Sequence, residues 1–385
     1  MQTTISETIT LEKIHRLALD NRIAFASYKL PYEKEVTTIL QWKTQPASFT
    51  DILSIEKKSG FLFAPFDTEE SHSIRLIQPE LVMKGDKFAE PDFYRYPQES
   101  ERIFEKKNIP GGPIKKHASK KEEYMLQVDE LRKMIGESTL DKLVLSRISY
   151  DNRPEDFNPT LFFCKLQQSY PDAFVFMIYI ADTGLWFGAS PEPLLIKKDQ
   201  KILTVSLAGT RVFDSDKTNE PWGQKELNEQ NIVTEYIDRI IKKFGIKDYL
   251  KEGPVSQKAG MVEHLRTIFT IDNNISDKLL LPFIKELHPT PSVCGLPKEM
   301  ALKIIKGIEK YDREYYTGFL GPVNFEEQWQ LYVNLRSMKA EQEHLVYYLG
   351  AGITSDSDPL KEWEETCNKK NTLQSIVESL NSKES

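Results

Sequence analysis

Two pairs of glutamates, Glu226 with Glu229 and Glu362 with Glu365, have the types and spacing to do chemistry. Residues three apart on a helix share a face, so each pair offers two carboxylates side by side. Two such helices can hold a hard divalent cation. Mg²⁺ takes one or two carboxylates directly, keeps several waters and leaves positions for a substrate's oxygens. The second pair follows Gly350, Ala351, Gly352 and a Ser/Asp turn. Read as a turn, that stretch exposes backbone N–H groups, which suit an anion. The acids beside it repel an anion unless a cation stands between. Lys369 lies four residues after Glu365 and shares its face, whereas Glu364 points elsewhere. The ordinary reading of such pairs is a solvated helix face, and spacing alone does not decide.

The elements that must position these residues are legible in outline. Leu227, Ile232, Val233, Ile237, Ile240 and Ile241 fall largely on one stripe, which predicts an amphipathic helix over 223–245. Asp358 suits an N-cap and Pro359 the first position of the helix after it. A helix is expected at about 8–20. Another follows a capping box of Ser119 and Glu122, with Met125, Val128, Leu131 and Ile135 on one face and a stop at Gly136. Residues 108–121, rich in Gly, Pro and Lys, read as a linker. Strand-like runs lie at 22–30 and 59–66. Further runs at 141–151, 173–182, 184–190, 193–199 and 201–211 are spaced as an antiparallel meander. After a strand at 261–272 come two helices, around 279–287 and 299–311, then strand-like runs at 315–324, 328–337 and 344–354. Strands grouped, then helices, then strands again predict α+β with large antiparallel β-sheets flanked by helices.

Composition excludes several function classes. The 385 residues are 39% apolar and 28% charged, an ordinary globular balance. The net charge is −7, from 51 basic and 58 acidic residues, so no nucleic-acid partner is expected. No apolar run reaches the roughly 18 residues of a membrane span. The first residues lack the basic start and apolar centre of a signal peptide. Cys164, Cys294 and Cys367 lack metal or disulfide spacing and read as reduced thiols. A cytoplasmic protein is expected.

The chain resembles the chorismate-utilising enzymes: isochorismate synthases, salicylate synthases, anthranilate synthase large subunits and aminodeoxychorismate synthases. The stretches that carry the resemblance are KLVLSR (142–147), FGASPEPLL (187–195), LAGTR (207–211), KELNEQNIV (225–233), VEHLRT (262–267), LHPTPSVCGLPK (287–298), REYYTGFLG (313–321), LYVNLRS (331–337) and GAGITSDSDPLKEWEETCNK (350–369). They run in order from Lys142 to Lys369, whereas residues 1–118 match only in general character. The resemblance implies the anthranilate synthase large-subunit-like fold. Residues 1–118 would be its N-terminal part and 119–380 the chorismate-binding catalytic region, within one structural domain.

It further implies a Mg²⁺ site. Glu229 and Glu365 would be direct ligands, and Glu226 and Glu362 would act through waters. The metal would hold the ring carboxylate of chorismate, supported by the amides of Gly350, Ala351 and Gly352 and by Lys369. Arg336 would bind the enolpyruvyl carboxylate, a geometry that suits a guanidinium fork. Val293 and Tyr316 would line the ring pocket, Gly209 and Thr210 would sit near the departing hydroxyl, and His264 would lie near the C4 hydroxyl or the ring carboxylate in a supporting role. Members that add water carry a lysine at the place of Lys142. Aminodeoxychorismate synthases carry a nucleophilic lysine where this chain has Ala208.

Both positions imply water as nucleophile and isochorismate or salicylate as product, and the HPTPSVCG stretch (288–295) resembles the isochorismate synthases more, which implies an isomerase. Lys142 would be the base that activates water for C2, and Glu192 the acid that protonates the departing C4 hydroxyl. A lysine is a base only when neutral, which burial and a nearby cation favour, and a carboxyl is an acid near neutral pH only when its pKa is raised. The alternative is a salicylate synthase, which goes on to expel pyruvate; an ammonia-using synthase component fits less well. A monomer suffices, feeding menaquinone or siderophore biosynthesis. Two departures from the family pattern, Gln230 after Glu229 and Ser206 before the LAGT stretch, affect only the surroundings of the proposed ligands.

Overall fold

The β-branched and aromatic runs form two antiparallel sheets. In the computed structural model the described residues are 10–68, 72–85, 87–88, 118–214, 220–259, 262–272 and 277–381. Positions 108–117 of the expected linker lie outside them. The 10-stranded sheet runs in the order Gly295–Leu296, Lys142–Asn152, His344–Ile353, Ser337–Ala340, Gly184–Ser190, Phe174–Ile180, Ala24–Lys29, Thr37–Gln41, Leu81–Lys84 and Lys87–Phe88. The 9-stranded sheet runs Tyr249–Ala259, Val262–Asp272, Lys201–Val212, Pro193–Lys198, Trp329–Val333, Phe319–Val323, Gly60–Ala64, Ile74–Ile77 and Ala47–Phe49. The N-terminal third thus supplies strands to both sheets.

Aromatic side chains fill the space between the sheets. Phe174 of one stacks on Tyr332 of the other, with ring centroids 4.3 Å apart and planes 4° apart. Phe61, Phe63, Phe176, Trp186 and Tyr348 belong to the same buried layer. Each such ring removes roughly 150–250 Å² from water, so this layer contributes strongly to holding the sheets face to face. On the outer face of the first sheet, Leu373, Ile376 and Val377 of helix Pro359–Asn381 pack with Phe162, Phe163 and Leu166 of helix Pro159–Ser169. On the outer face of the second, helix Gln224–Lys243 buries Val233, Ile237, Ile240 and Ile241 beside Phe283 and Ile284 of helix Asp277–Leu287. The result is α+β, with helices outside two facing antiparallel sheets. Among the described residues no helix is long and apolar enough to cross a membrane.

Four local expectations change. The runs from 141 to 211 are not one meander: Lys142–Asn152 pairs with His344–Ile353, and the hairpins 174–190 and 193–212 lie in different sheets. The capping box is not made. The helix is Lys121–Glu137 with Lys120 as N-cap, and the Ser119 amide instead donates to Ile148 O at 3.3 Å. That helix also continues through Gly136. Strand Tyr249–Ala259, unmarked by its composition, tolerates Pro254 because it is an edge strand with a register shift there.

The fourth concerns Gly350, Ala351 and Gly352. They are not a turn but the end of strand His344–Ile353, paired with Ser146, Leu145 and Val144. The turn lies further on, where Asp358 Oδ1 accepts the Lys361 amide at 2.9 Å as the N-cap of helix Pro359–Asn381.

Candidate active site

A cleft opens between the sheets, lined by both polar and apolar groups. Glu192, Gly209, Thr210, Glu229, His264, Val293, Tyr316, Arg336, Gly350, Ala351, Gly352, Glu365 and Lys369 line it. Glu226 and Glu362 stand outside, in an adjoining outer cleft that Glu365 and Thr210 also line. Lys142 is buried behind the wall.

Strand Lys142–Asn152 begins with Lys142, whose Nζ lies 2.7 Å from Glu229 Oε1 on helix Gln224–Lys243. The contact is an ion pair whose direction falls short of a hydrogen bond. Gly352 makes room for it. A Cβ there would lie 2.2 Å from Glu229 Oε1 and 2.9 Å from Lys142 Cε. Gly209 has a similar reason to be glycine: its φ is +70°, and a Cβ would meet Glu226 O at 3.0 Å.

The remaining groups are held in defined states. Glu192 is fully buried, and burial pushes its carboxyl up to about 8, against the pull of Lys142, the Ser292 hydroxyl and Lys369. Burial likewise pushes His264 down to about 3, with Arg336 and Lys369 adding to it. Arg336 has a φ of +48°, a conformation that residues other than glycine adopt at a cost and that clusters at functional sites. Its Nη1 donates to Thr372 Oγ1 at 3.0 Å. Tyr316 packs on Tyr348 with centroids 5.7 Å apart, and its hydroxyl would lie 3.0 Å from a Cβ at Gly350. Lys369 Nζ donates to Gly350 O at 2.8 Å and pairs with Glu365 Oε1 at 2.6 Å. In an antiparallel ladder the N–H and C=O of one residue point to the same side. Gly350 therefore turns its amide away from strand Lys142–Asn152, and Gly352 does the same. Two amides, not a turn of three, are available on that side.

The acidic wall is partly neutralised by lysines. Glu362 is buried and its Oε1 lies 2.5 Å from Lys225 Nζ. Burial, then the neighbouring Glu365, raises the Glu362 carboxyl, while Lys225 opposes. For Glu365 burial also acts upward, but Lys369 and Lys225 outweigh it and hold the carboxyl low. Among the described residues no three His, Cys, Asp or Glu side chains converge on one point. The donor chemistry nonetheless fits a hard divalent cation. Every candidate ligand is a carboxylate, and Glu362 Oε2 is buried with no hydrogen-bond partner; Ser357 lies near it but falls short of one.

Several lining residues were not singled out from sequence: Ser292, Thr317, Leu335 and Tyr348. Ser292, Thr317 and Leu335 lie in the 287–298, 313–321 and 331–337 stretches and were within reach of that reading. Nothing in the periodicity marks Tyr348 as different from core.

The model of a protein family described as "Chorismate binding enzyme" matches residues 54–378. The chain is 30% identical over 262 residues to the vibriobactin-specific isochorismate synthase of Vibrio cholerae, a match covering 66% of each chain. It therefore spans just under two thirds of that relative's length. It is 26% identical to isochorismate synthase DhbC of Bacillus subtilis, with 97% of each covered. The solved structure of a 2,3-dihydroxybenzoate-specific isochorismate synthase, DhbC, from Bacillus anthracis superimposes with a TM-score of 0.75 at 21% identity, covering 95% of this chain and 99% of that one. At that identity the likeness establishes the shared fold.

Proposed function

The chain belongs to the chorismate-binding enzyme family, and from that premise we propose that it converts chorismate to isochorismate. The observation that carries this reading is the state of Glu192. It is a cleft-lining carboxyl that burial pushes up to about 8, and so is protonated near neutral pH. Such a group can give a proton to a departing hydroxyl. Ala208 sits in the cleft wall and offers no amine to attack the ring, and Lys142 stands where the members that add water carry a lysine; together they favour water over ammonia as the nucleophile.

The oxygen of water bonds to C2, and one of its protons passes to Lys142. The ring double bonds shift, the C4–O bond breaks, and Glu192 protonates the departing hydroxyl, which leaves as water. Lys142 gains a proton and Glu192 loses one, so solvent must reset both. For Lys142 to take its part, it must first give up its own proton, to Glu229 or to solvent, and leave the ion pair. The guanidinium of Arg336 can take the enolpyruvyl carboxylate, while Tyr316 and Val293 form the apolar sides of the ring pocket.

Glu229 and Glu365, with Glu226 and Glu362 behind them, would hold Mg²⁺. The metal would supply a positive charge for the ring carboxylate and help stabilise charge that develops on the ring. Lys369 would support the same end of the substrate. All of these groups come from one chain, so a monomer suffices.

The test is a chromatographic product assay with chorismate, with Mg²⁺ or with EDTA. Isochorismate in equilibrium with chorismate, formed only with Mg²⁺, is the expected result. Salicylate with pyruvate would move the protein to the salicylate synthases. No product from a folded, metal-supplied protein would overturn the reading.

A further inference from the structure

Three carboxylates of the acidic wall each hold a lysine. Lys142 lies 2.7 Å from Glu229, Lys369 lies 2.6 Å from Glu365, and Lys225 lies 2.5 Å from Glu362. Lys142 and Lys369 have tasks in the proposed reaction. Lys225 has none.

Its position is nevertheless specific. Lys225 and Glu229 are four residues apart on helix Gln224–Lys243, so they share a face. Glu362 approaches that face from helix Pro359–Asn381. The side chain of Lys225 is only 24% exposed, and that of its partner Glu362 is 1% exposed. Burial disfavours the Lys225 charge, but Glu362, Glu229 and Glu365 together outweigh it and hold the ammonium protonated. A lysine ammonium is a compact positive charge that seeks oxygen, as a small metal ion does. Both would compete for the same carboxylates. Glu362 cannot simply lose its partner, because an unpaired buried charge is strongly destabilising. One cation must replace another. The outer cleft that Lys225 lines also carries Asp356, Asp358 and Glu364, acids that can receive a displaced ammonium.

We propose that Lys225 is a resident counter-cation of the acidic wall, which a divalent cation must displace from Glu362 in order to bind. This rests on the reading of the wall as a metal site. It gives Lys225 a function of its own: it keeps the four carboxylates from repelling one another and weakens the affinity for metal. A purely structural ion pair would behave in the opposite way, since its loss would leave metal binding unchanged or weaker.

Isothermal calorimetry of Mg²⁺ with the full chain and no chorismate tests this. Lys225→Met is expected to bind Mg²⁺ about tenfold more tightly than the wild type, the effect of removing one close like charge. Lys225→Arg, which keeps the charge, is expected to stay weak. Should the wild type bind and Lys225→Met bind no more tightly, the displacement idea fails while the metal site stands. Should neither the wild type nor Lys225→Met bind Mg²⁺, the metal site itself is wrong and this proposal falls with it. A second measurement needs no substitution. Amine labelling of the wild type, read by mass spectrometry, should increase at Lys225 on saturation with Mg²⁺. Unchanged or reduced labelling at Lys225 overturns the displacement.

Discussion

Arg336 Nη2 donates a hydrogen bond to His264 Nε2 at 3.2 Å. A guanidinium only donates, so Nε2 must be the acceptor. On the far side of the ring Nδ1 lies 3.1 Å from Gly209 O, and a carbonyl only accepts, so Nδ1 carries the proton. The two contacts fix a neutral tautomer, in agreement with the downward push of burial to about 3. In the proposed reaction His264 would therefore aim Arg336 rather than move protons. His264→Ala is expected to raise KM for chorismate by about 10- to 100-fold with a smaller change in kcat, the weight of one lost hydrogen bond to a charged group. Steady-state kinetics across pH checks this. A limb near pH 6.5 that disappears in His264→Ala would show that the ring titrates during turnover and that its role is different.

The pH dependence of stability should reveal Glu192. Its folded pKa of about 8 lies above its ordinary 4.5, so the folded protein binds the extra proton between those values. That stabilisation is present below pH 4.5 and is lost as pH rises through 8. Glu192→Gln has no such loss. Relative to wild type, its melting temperature is expected to gain on the order of 5 °C between pH 6 and pH 9, while turnover falls by about 10²- to 10⁴-fold. A difference in melting temperature that does not change with pH would place the raised pKa elsewhere. His15, His264 and His288, each pushed by burial to about 3, act with the opposite sign. The unfolded chain binds their protons between about 3 and 6.5, so stability from them falls as pH is lowered through that window.

The helices that carry Glu229 and Glu365 were legible because an apolar stripe and an Asp-Pro start are local signals. The strands around Glu192 and His264 were legible for the same kind of reason. The partners were not. Lys142 and Glu229 meet across a strand and a helix, and nothing in the local pattern of either announces the other. Gly350 to Gly352 read as a turn because glycine is common in turns. Here the missing Cβ of Gly352 serves a close approach of side chains within a strand. Arg336 at φ +48° is invisible in composition, because tertiary contacts hold it in a conformation its own preference disfavours. Lys225 carries no local signal that sets it apart, because its buried partner Glu362 lies 137 residues further along the chain.

Lys142→Met separates binding from chemistry. Methionine keeps most of the buried volume and removes the amine. Turnover is expected to be abolished while chorismate still binds, because Arg336 and Lys369 are untouched. Glu229 loses its 2.7 Å partner, so stability should fall by about 3–5 kcal/mol unless metal compensates. Product chromatography and equilibrium binding read the two effects. Wild-type turnover in this variant would remove Lys142 from the role of base.

Gly352→Ala tests the site without replacing a charged group. The new Cβ would fall 2.2 Å from Glu229 Oε1 and 2.9 Å from Lys142 Cε, both in side chains that can swing aside. The fold should therefore survive with a loss of about 1 kcal/mol or less, since no backbone has to move. Gly321→Ala is the contrast. There the φ is +141° and a Cβ would strike the backbone oxygen of Gln330 at 2.0 Å, so stability should drop by several times as much. Activity should rank the two variants in reverse. Gly352→Ala displaces Lys142 and Glu229 from their present positions while leaving both free to stay paired, and is expected to lose turnover at least 100-fold, since a displacement of about 1 Å at reacting groups can cost that much. Thermal melts and product assays on both variants give the comparison. If Gly352→Ala keeps full activity, the Lys142–Glu229 approach has no part in the reaction.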